Sequence, residues 1–221
     1  MDRLYAGFIQ RGDLVFDVGA HVGDRVASFR RLGARVVAVE PQPAMVKVLR
    51  LLYGRRAEVA IEAAAVGRVV GQTCMMINAD NPTVSTASPA FVSAARDAPG
   101  WENQHWVKSV SIPVTTLDAL IGRHGTPAFI KIDVEGFEEE ALQGLSYQVK
   151  ALSFEFTTIQ RPVALGCIAR CVALGYTRFN AALGESQSFV NSHWVDAEDI
   201  ARWLAALPHA ANSGDIYAAL A

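Results

Sequence analysis

Residues Leu14–Asp24 read LVFDVGAHVGD. An apolar run of strand length, Leu14 to Val18, carries the acid Asp17 next to its end. Gly19 then permits a sharp turn and close backbone approach, and Gly23 lets a following helix pack tightly against the strand. That helix is expected from about Asp24 to Leu32, stopped by Gly33 in the position of a C-terminal capping glycine. The amides at its start would face a crevice and could receive a carboxylate or a phosphate. Glycine turns before helices are common, so this segment decides the fold only with what surrounds it.

Working outward, short apolar runs alternate with amphipathic stretches, the pattern of a parallel sheet covered by helices. A short helix, Asp2 to Gln10, precedes the first strand. Arg35 to Val39 forms a second strand, halted by Glu40-Pro41, and Pro43 opens a helix reaching Tyr53. Val59 to Ala63 is a third strand. Parallel order resumes with Ala128 to Val134, a helix from Glu138, a strand from Ala151 to Phe156 and a helix from Val163 to Leu174. Two last β segments, Thr177 to Ala182 and Ser188 to Val190, read as a hairpin across Gly184, and a helix from Ala197 to Leu207 follows. The stretch 67–127 interrupts this alternation. Its β segments, Thr73 to Asn78 and Val107 to Val114, flank the polar, Pro- and Ser-containing stretch 79–103, and a short helix, Leu117 to His124, closes it. So long a connection is expected to be a lid or substrate-binding element. Residues 1–221 are expected to form one domain.

With 51% hydrophobic and 19% charged residues and a formal net charge of −2, the composition is that of an ordinary globular protein. No basic face points to nucleic acid. The start of the chain lacks a basic-then-apolar targeting pattern and no run approaches membrane-spanning length. A cytoplasmic enzyme is the expectation. Three cysteines, Cys74, Cys167 and Cys171, cannot make a disulfide framework. The pair at i, i+4 has no further ligand nearby and is expected to be packed thiols.

The ligand follows from two acids. Glu40 ends the second strand about twenty residues after Gly19, where doubly wound nucleotide-binding folds place an acid on the ribose hydroxyls. The turn itself is Asp-x-Gly-x-x-x-Gly, one glycine short of the dinucleotide fingerprint and led by Asp17, which would repel a pyrophosphate. An ammonium and sulfonium would not be repelled. The acid therefore favours S-adenosylmethionine over a nicotinamide dinucleotide. An NAD-dependent oxidoreductase and a non-catalytic S-adenosylmethionine-binding protein remain the rival readings.

Several blocks in order, GDLVFDVGAHVGDRVASFRRLGARVVAVEPQP, AAAVGRVVG, VTTLDAL, FIKIDVEGFEEEALQGL, LSFEF and LGYTRF, give the chain a resemblance to the FkbM family of methyltransferases over roughly residues 8–195. His21 departs from the family's usual Asn in the turn. The resemblance implies a class I, Rossmann-like sheet, mostly parallel with a reversed final strand, and methyl transfer to an oxygen of a sugar, glycolipid or natural-product acceptor. It places Asp17, Gly19 and Gly23 around the methionine part of the donor, with Glu40 at the ribose and Glu62 to Val66 along the adenine. The cofactor-contacting set is thus Asp17, Gly19, His21, Gly23, Glu40, Pro41, Ala64 and Asp133.

The block Lys131-Ile-Asp-Val-Glu-Gly136 puts Asp133 and Glu135 on one side of a strand's alternation, near the carboxyl edge where ligands bind. Glu155 holds the corresponding end of the next strand. Buried acids need partners, and Lys131 is a candidate. In one reading Asp133 binds the donor while Glu135 or Glu155 takes the acceptor's proton. In a second, Asp133 and Glu155 hold a divalent metal. In a third, Glu135 merely caps the next helix. Asn81, Ser85, Thr86, Ser88, Trp101, His105 and Trp106 in the insertion suit a sugar or ring-bearing acceptor, with His105 as a candidate base, and also suit a homodimer contact or a plain loop.

Overall fold

The computed structural model describes residues 1–221. The strands β1 (Leu14–Val18), β2 (Arg35–Val39) and β3 (Val59–Glu62) are linked by α2 (Asp24–Arg31) and α3 (Pro43–Tyr53), after a one-turn α1 (Asp2–Tyr5). A small sheet follows, made of β4 (Ala65–Val66), β5 (Gly71–Asn78) and β6 (Trp106–Thr115), with α4 (Pro89–Arg96) between the last two. The main sheet resumes through α5 (Leu117–His124), β7 (Phe129–Ile132), α6 (Glu138–Gln143), β8 (Ala151–Thr157), α7 (Arg161–Ala173), β9 (Arg178–Leu183), α8 (Ala197–Ala206) and β10 (Ser213–Ala219).

Seven strands lie in the order β3-β2-β1-β7-β8-β10-β9. All pairings are parallel except those of β10, which runs antiparallel to both β8 and β9. This is a doubly wound, Rossmann-like sheet with a reversed final strand. Its central strands are apolar on both faces because each face is covered. Leu14, Phe16 and Val18 face a core shared with α5, α6, α7 and α8, whereas Val15 faces a second core closed by α1, α2 and α3. Cys167 and Cys171 lie fully buried in the first of these, as packed thiols.

Four local expectations are corrected. The opening helix stops at Tyr5, and Ala6 to Gln10 continue as turns and coil. The expected hairpin across Gly184 does not form. Val190 gives only an amide to the Ala181 carbonyl, and the strand beside β9 is β10, drawn from the C-terminal tail. The polar middle of the insertion contains α4, capped by the Ser88 hydroxyl on the Phe91 amide at 3.1 Å. Gly23 serves packing against α3 rather than against β1: a Cβ there would lie 2.6 Å from the Tyr53 ring, and the Tyr53 hydroxyl donates to the Gly23 carbonyl at 3.0 Å.

Candidate active site

The turn after β1 is tied to both neighbouring strands. The Gly19 and Ala20 amides donate to the Val39 carbonyl at 2.9 and 3.0 Å, and the Asp133 amide donates to the Val18 carbonyl at 2.9 Å. Gly19 has φ +86, and a Cβ on it would come within 1.7 Å of the Asp133 carbonyl oxygen. Glycine is required there by space as well as by backbone angle. His21 also sits at positive φ, +47, in the left-handed region where Asn, Asp and His are enriched among residues with side chains. A His in the place of the family's Asn therefore preserves the backbone of the turn.

Glu40 anchors this turn from β2. Its Oε2 accepts the His21 amide at 2.8 Å and its Oε1 the Gln42 amide at 2.7 Å. The side chain is buried, and burial pushes its pKa up to about 7 despite those two amides. Each carboxylate oxygen keeps unused acceptor capacity for a further donor.

These groups border a cavity of about 260 Å³ at the carboxyl ends of β1, β2 and β7. Gly19, His21, Glu40, Pro41 and Ala64 line it, together with Asp133, Glu135 and Glu155. Asp17 and Gly23 do not. Asp17 is 1% exposed, lies beside Lys131 in the β1–β7 register, and has an unpartnered buried oxygen, with burial raising its pKa to about 7. It lies beneath the turn and is not part of the cavity wall. Ala64, Ala65 and Val66 line the wall, but Glu62 turns away to His124 at 2.7 Å and Arg123 at 3.2 Å.

Asp133, Glu135 and Glu155 each bring a carboxylate oxygen within 4.8 Å of the others. Asp133 and Glu135 do not meet through strand alternation, because β7 ends at Ile132. A turn with Glu135 at φ +56 and Gly136 at φ +87 brings them together, held by the Thr86 hydroxyl donating to the Glu135 carbonyl at 2.6 Å. Glu135 does not cap α6. Nor does any other side chain; Glu138, the first residue of the helix, reaches back to hold the turn before it, accepting the Val134 amide at 2.9 Å and the Gly136 amide at 3.0 Å. The Glu135 carboxylate is left free of that structural duty.

Beneath the cluster, the fully buried Lys131 ammonium lies 3.1 Å from Asp133 and 2.6 Å from Asp215. Asp215 lies on β10, whose own residues do not mark it as a strand. Antiparallel register sets it opposite Glu155. The lysine decides the charge pattern. Burial would raise the Asp133 carboxyl, but the Lys131 charge overrides it and holds Asp133 below the ordinary carboxylate value. Glu135 and Glu155 lie farther from that charge. Burial and the repulsion of the Asp133 carboxylate push both well above it.

Of the acceptor-side residues expected in the insertion, only Ser85 lines the cavity, joined by Met75, Thr83 and Ala87. Trp101 and Trp106 pack edge-on against Phe91 in a satellite core with Val84, and the Trp106 indole donates to the Val84 carbonyl. Asn81 bonds Thr83 and Gln104, Thr86 bonds Glu135, and Ser88 caps α4. His105 is exposed and away from the wall, which removes the ground for it as a base.

A family model described as the methyltransferase FkbM domain matches residues 17–207. The chain belongs to the FkbM methyltransferase family. No curated protein matches the sequence. Among solved structures, this FkbM methyltransferase is similar to a precorrin-6y C5,15-methyltransferase from Geobacter metallireducens, with 12% identity, a TM-score of 0.48, and coverage of 99% of this chain and 86% of that one. It is also similar to Aeropyrum pernix fibrillarin in complex with S-adenosyl-L-methionine, with 8% identity, a TM-score of 0.49, and coverage of 95% and 67%. At such scores the fold rests on the strand order given above, and the methyltransferase class on the family match. No helix of the chain is long and apolar enough to cross a membrane.

Proposed function

We propose that this S-adenosylmethionine-dependent methyltransferase methylates a hydroxyl oxygen of a small acceptor such as a sugar, glycolipid or natural product. The observation that carries the reading is the cluster of Asp133, Glu135 and Glu155 on the wall of the cavity that Glu40 and the Gly19 turn also border. The residues present fit the donor. Glu40 has free acceptor capacity for ribose hydroxyls, the His21 Nε2 is buried with no partner, and Asp133 offers an ionised carboxylate to an ammonium. The bound donor supplies a methyl group already activated on a sulfonium.

The chain has then to align the acceptor oxygen at about 3 Å from the methyl carbon, exclude water and hold the leaving proton. Glu155 and Glu135 are the groups for that proton. In the empty site burial and the Asp133 carboxylate push both well above the ordinary carboxylate value. Positive charge entering the cavity lowers both, so one of them becomes a carboxylate able to accept the acceptor's proton. Thr83, Ser85 and Ala87, from the insertion, line the same cavity.

A divalent metal fits this cluster poorly. Asp133 already has the Lys131 ammonium at 3.1 Å as its counter-charge, and no step here runs through a metal. The test is turnover with a panel of glycosides and hydroxylated lipids. Glu155→Gln or Glu135→Gln is expected to lower kcat by about 10²–10⁴-fold while S-adenosylhomocysteine binding is retained. Full turnover in both variants, and in the double variant, would remove the carboxylates from the mechanism.

A further inference from the structure

Arg25 is the one Lys or Arg among the cavity-lining residues, facing a wall that carries Asp24, Glu40, Asp133, Glu135, Glu155 and Glu185. It stands in the first turn of α2, and its side chain is 18% exposed. Its Nη2 donates to the Glu185 Oε1 at 2.8 Å. The Nε is shut off from water and has no acceptor. A guanidinium offers a carboxylate two parallel N–H donors, and here only one is taken. Glu185 reaches across from the loop after β9 with its side chain 73% exposed, so it is lightly held.

We propose that Arg25 seats the α-carboxylate of the methyl donor, and that Glu185 occupies this place while the donor is absent. The inference rests on the reading of the cavity as the donor site. The donor has a single anionic group, and Arg25 is the one lysine or arginine on the cavity lining to receive it. Its ammonium shares a carbon with that carboxylate and is drawn by sign to Asp133. Arg25 is near enough for its charge to help hold Asp133 low. A carboxylate entering in place of that of Glu185 takes both donors of the fork, satisfies the buried Nε, and releases Glu185 with its loop to solvent.

Calorimetry with S-adenosylhomocysteine and with its decarboxylated analogue tests this. The wild-type protein is expected to prefer the carboxylate-bearing ligand by about tenfold or more. Arg25→Ala should bring that preference to within about twofold by weakening S-adenosylhomocysteine alone, the unchanged analogue showing that the variant is folded. Arg25→Lys, which keeps the charge but not the fork, should fall between. Glu185→Gln, with the competing charge removed, should tighten S-adenosylhomocysteine several-fold and leave the analogue unchanged. Arg25→Ala retaining the full preference, or a wild-type protein without one, would overturn the assignment, as would tighter binding of the analogue in Glu185→Gln. A wild-type protein that bound NAD but neither adenosyl ligand would instead overturn the donor site itself.

Discussion

Glu40 carries two loads, holding the turn by two backbone amides and keeping acceptor capacity for a ribose. Its replacement therefore costs twice. Glu40→Ala is expected to weaken S-adenosylhomocysteine by about 10–100-fold, the scale of one or two hydrogen bonds to a charged group, and to lower the melting temperature of the empty protein. Calorimetry and thermal unfolding would separate the two effects, and unchanged affinity would remove Glu40 from the ribose. Lys131 is the opposite case, a buried cation whose value lies in its partners. Lys131→Met leaves Asp133 and Asp215 without their counter-charge, and the expected loss is about 3–5 kcal/mol at neutral pH. That loss should shrink on acidification, because the two carboxyls can then protonate. Chemical denaturation at several pH values would check this, and a pH-independent loss would contradict it.

At the scale of elements, the insertion is a structured wall rather than a loop of acceptor ligands. Trp101, Phe91 and Val84 make its own small core. Trp101→Ala is expected to cost about 3–5 kcal/mol within that unit. Hydrogen exchange should show faster amides across 82–104, with β1 and β7 unchanged. Uniform loss of protection over the whole chain would mean the unit has no independence. The same elements show what the sequence could reveal. β1, β2, α3 and α5 were legible to the residue because apolar runs end there on Gly, Pro or an acid, and each signal is local. β10 was not, because Gly214, Asp215 and two alanines dilute its apolar pattern. It is a strand by virtue of the slot between β8 and β9. With it went Asp215, and so the second partner of Lys131. The aromatic residues of the insertion misled for a related reason: a Trp that fills a satellite core and a Trp that stacks on a sugar look alike in a string of letters. Glu135 and Glu138 differ only in which of them the turn at positive φ aims toward the Val134 amide, a matter of geometry that composition does not encode.

At the scale of the whole molecule, the sheet gathers acids at one edge, and the empty protein bears the cost. Burial raises Asp17, Glu40 and Glu138 to about 7 from ordinary values of 3.8, 4.5 and 4.5. A carboxyl whose folded pKa is raised stabilises the fold fully below its unfolded pKa and loses that contribution as pH climbs through the folded value. The empty protein is therefore expected to be more stable at about pH 5 than at about pH 8, with the fall concentrated between about 4 and 7 where these groups titrate. Melting temperatures across that range would check it, and a rise toward pH 8 would contradict it. Donor binding, by adding positive charge beside Glu135 and Glu155, should release protons. Calorimetry in buffers of different ionisation enthalpy reads that release directly.

The most direct test of the account follows the methyl group itself. The protein would be incubated with S-adenosylmethionine labelled with ¹³C at the methyl carbon and with a small-molecule extract of cells that express it, and the product read by NMR. The account predicts a new methoxy carbon resonance that requires the protein and disappears with the Glu135→Gln, Glu155→Gln double variant. Label arriving on nitrogen, carbon or sulfur, or a methoxy signal undiminished in that double variant, would contradict it.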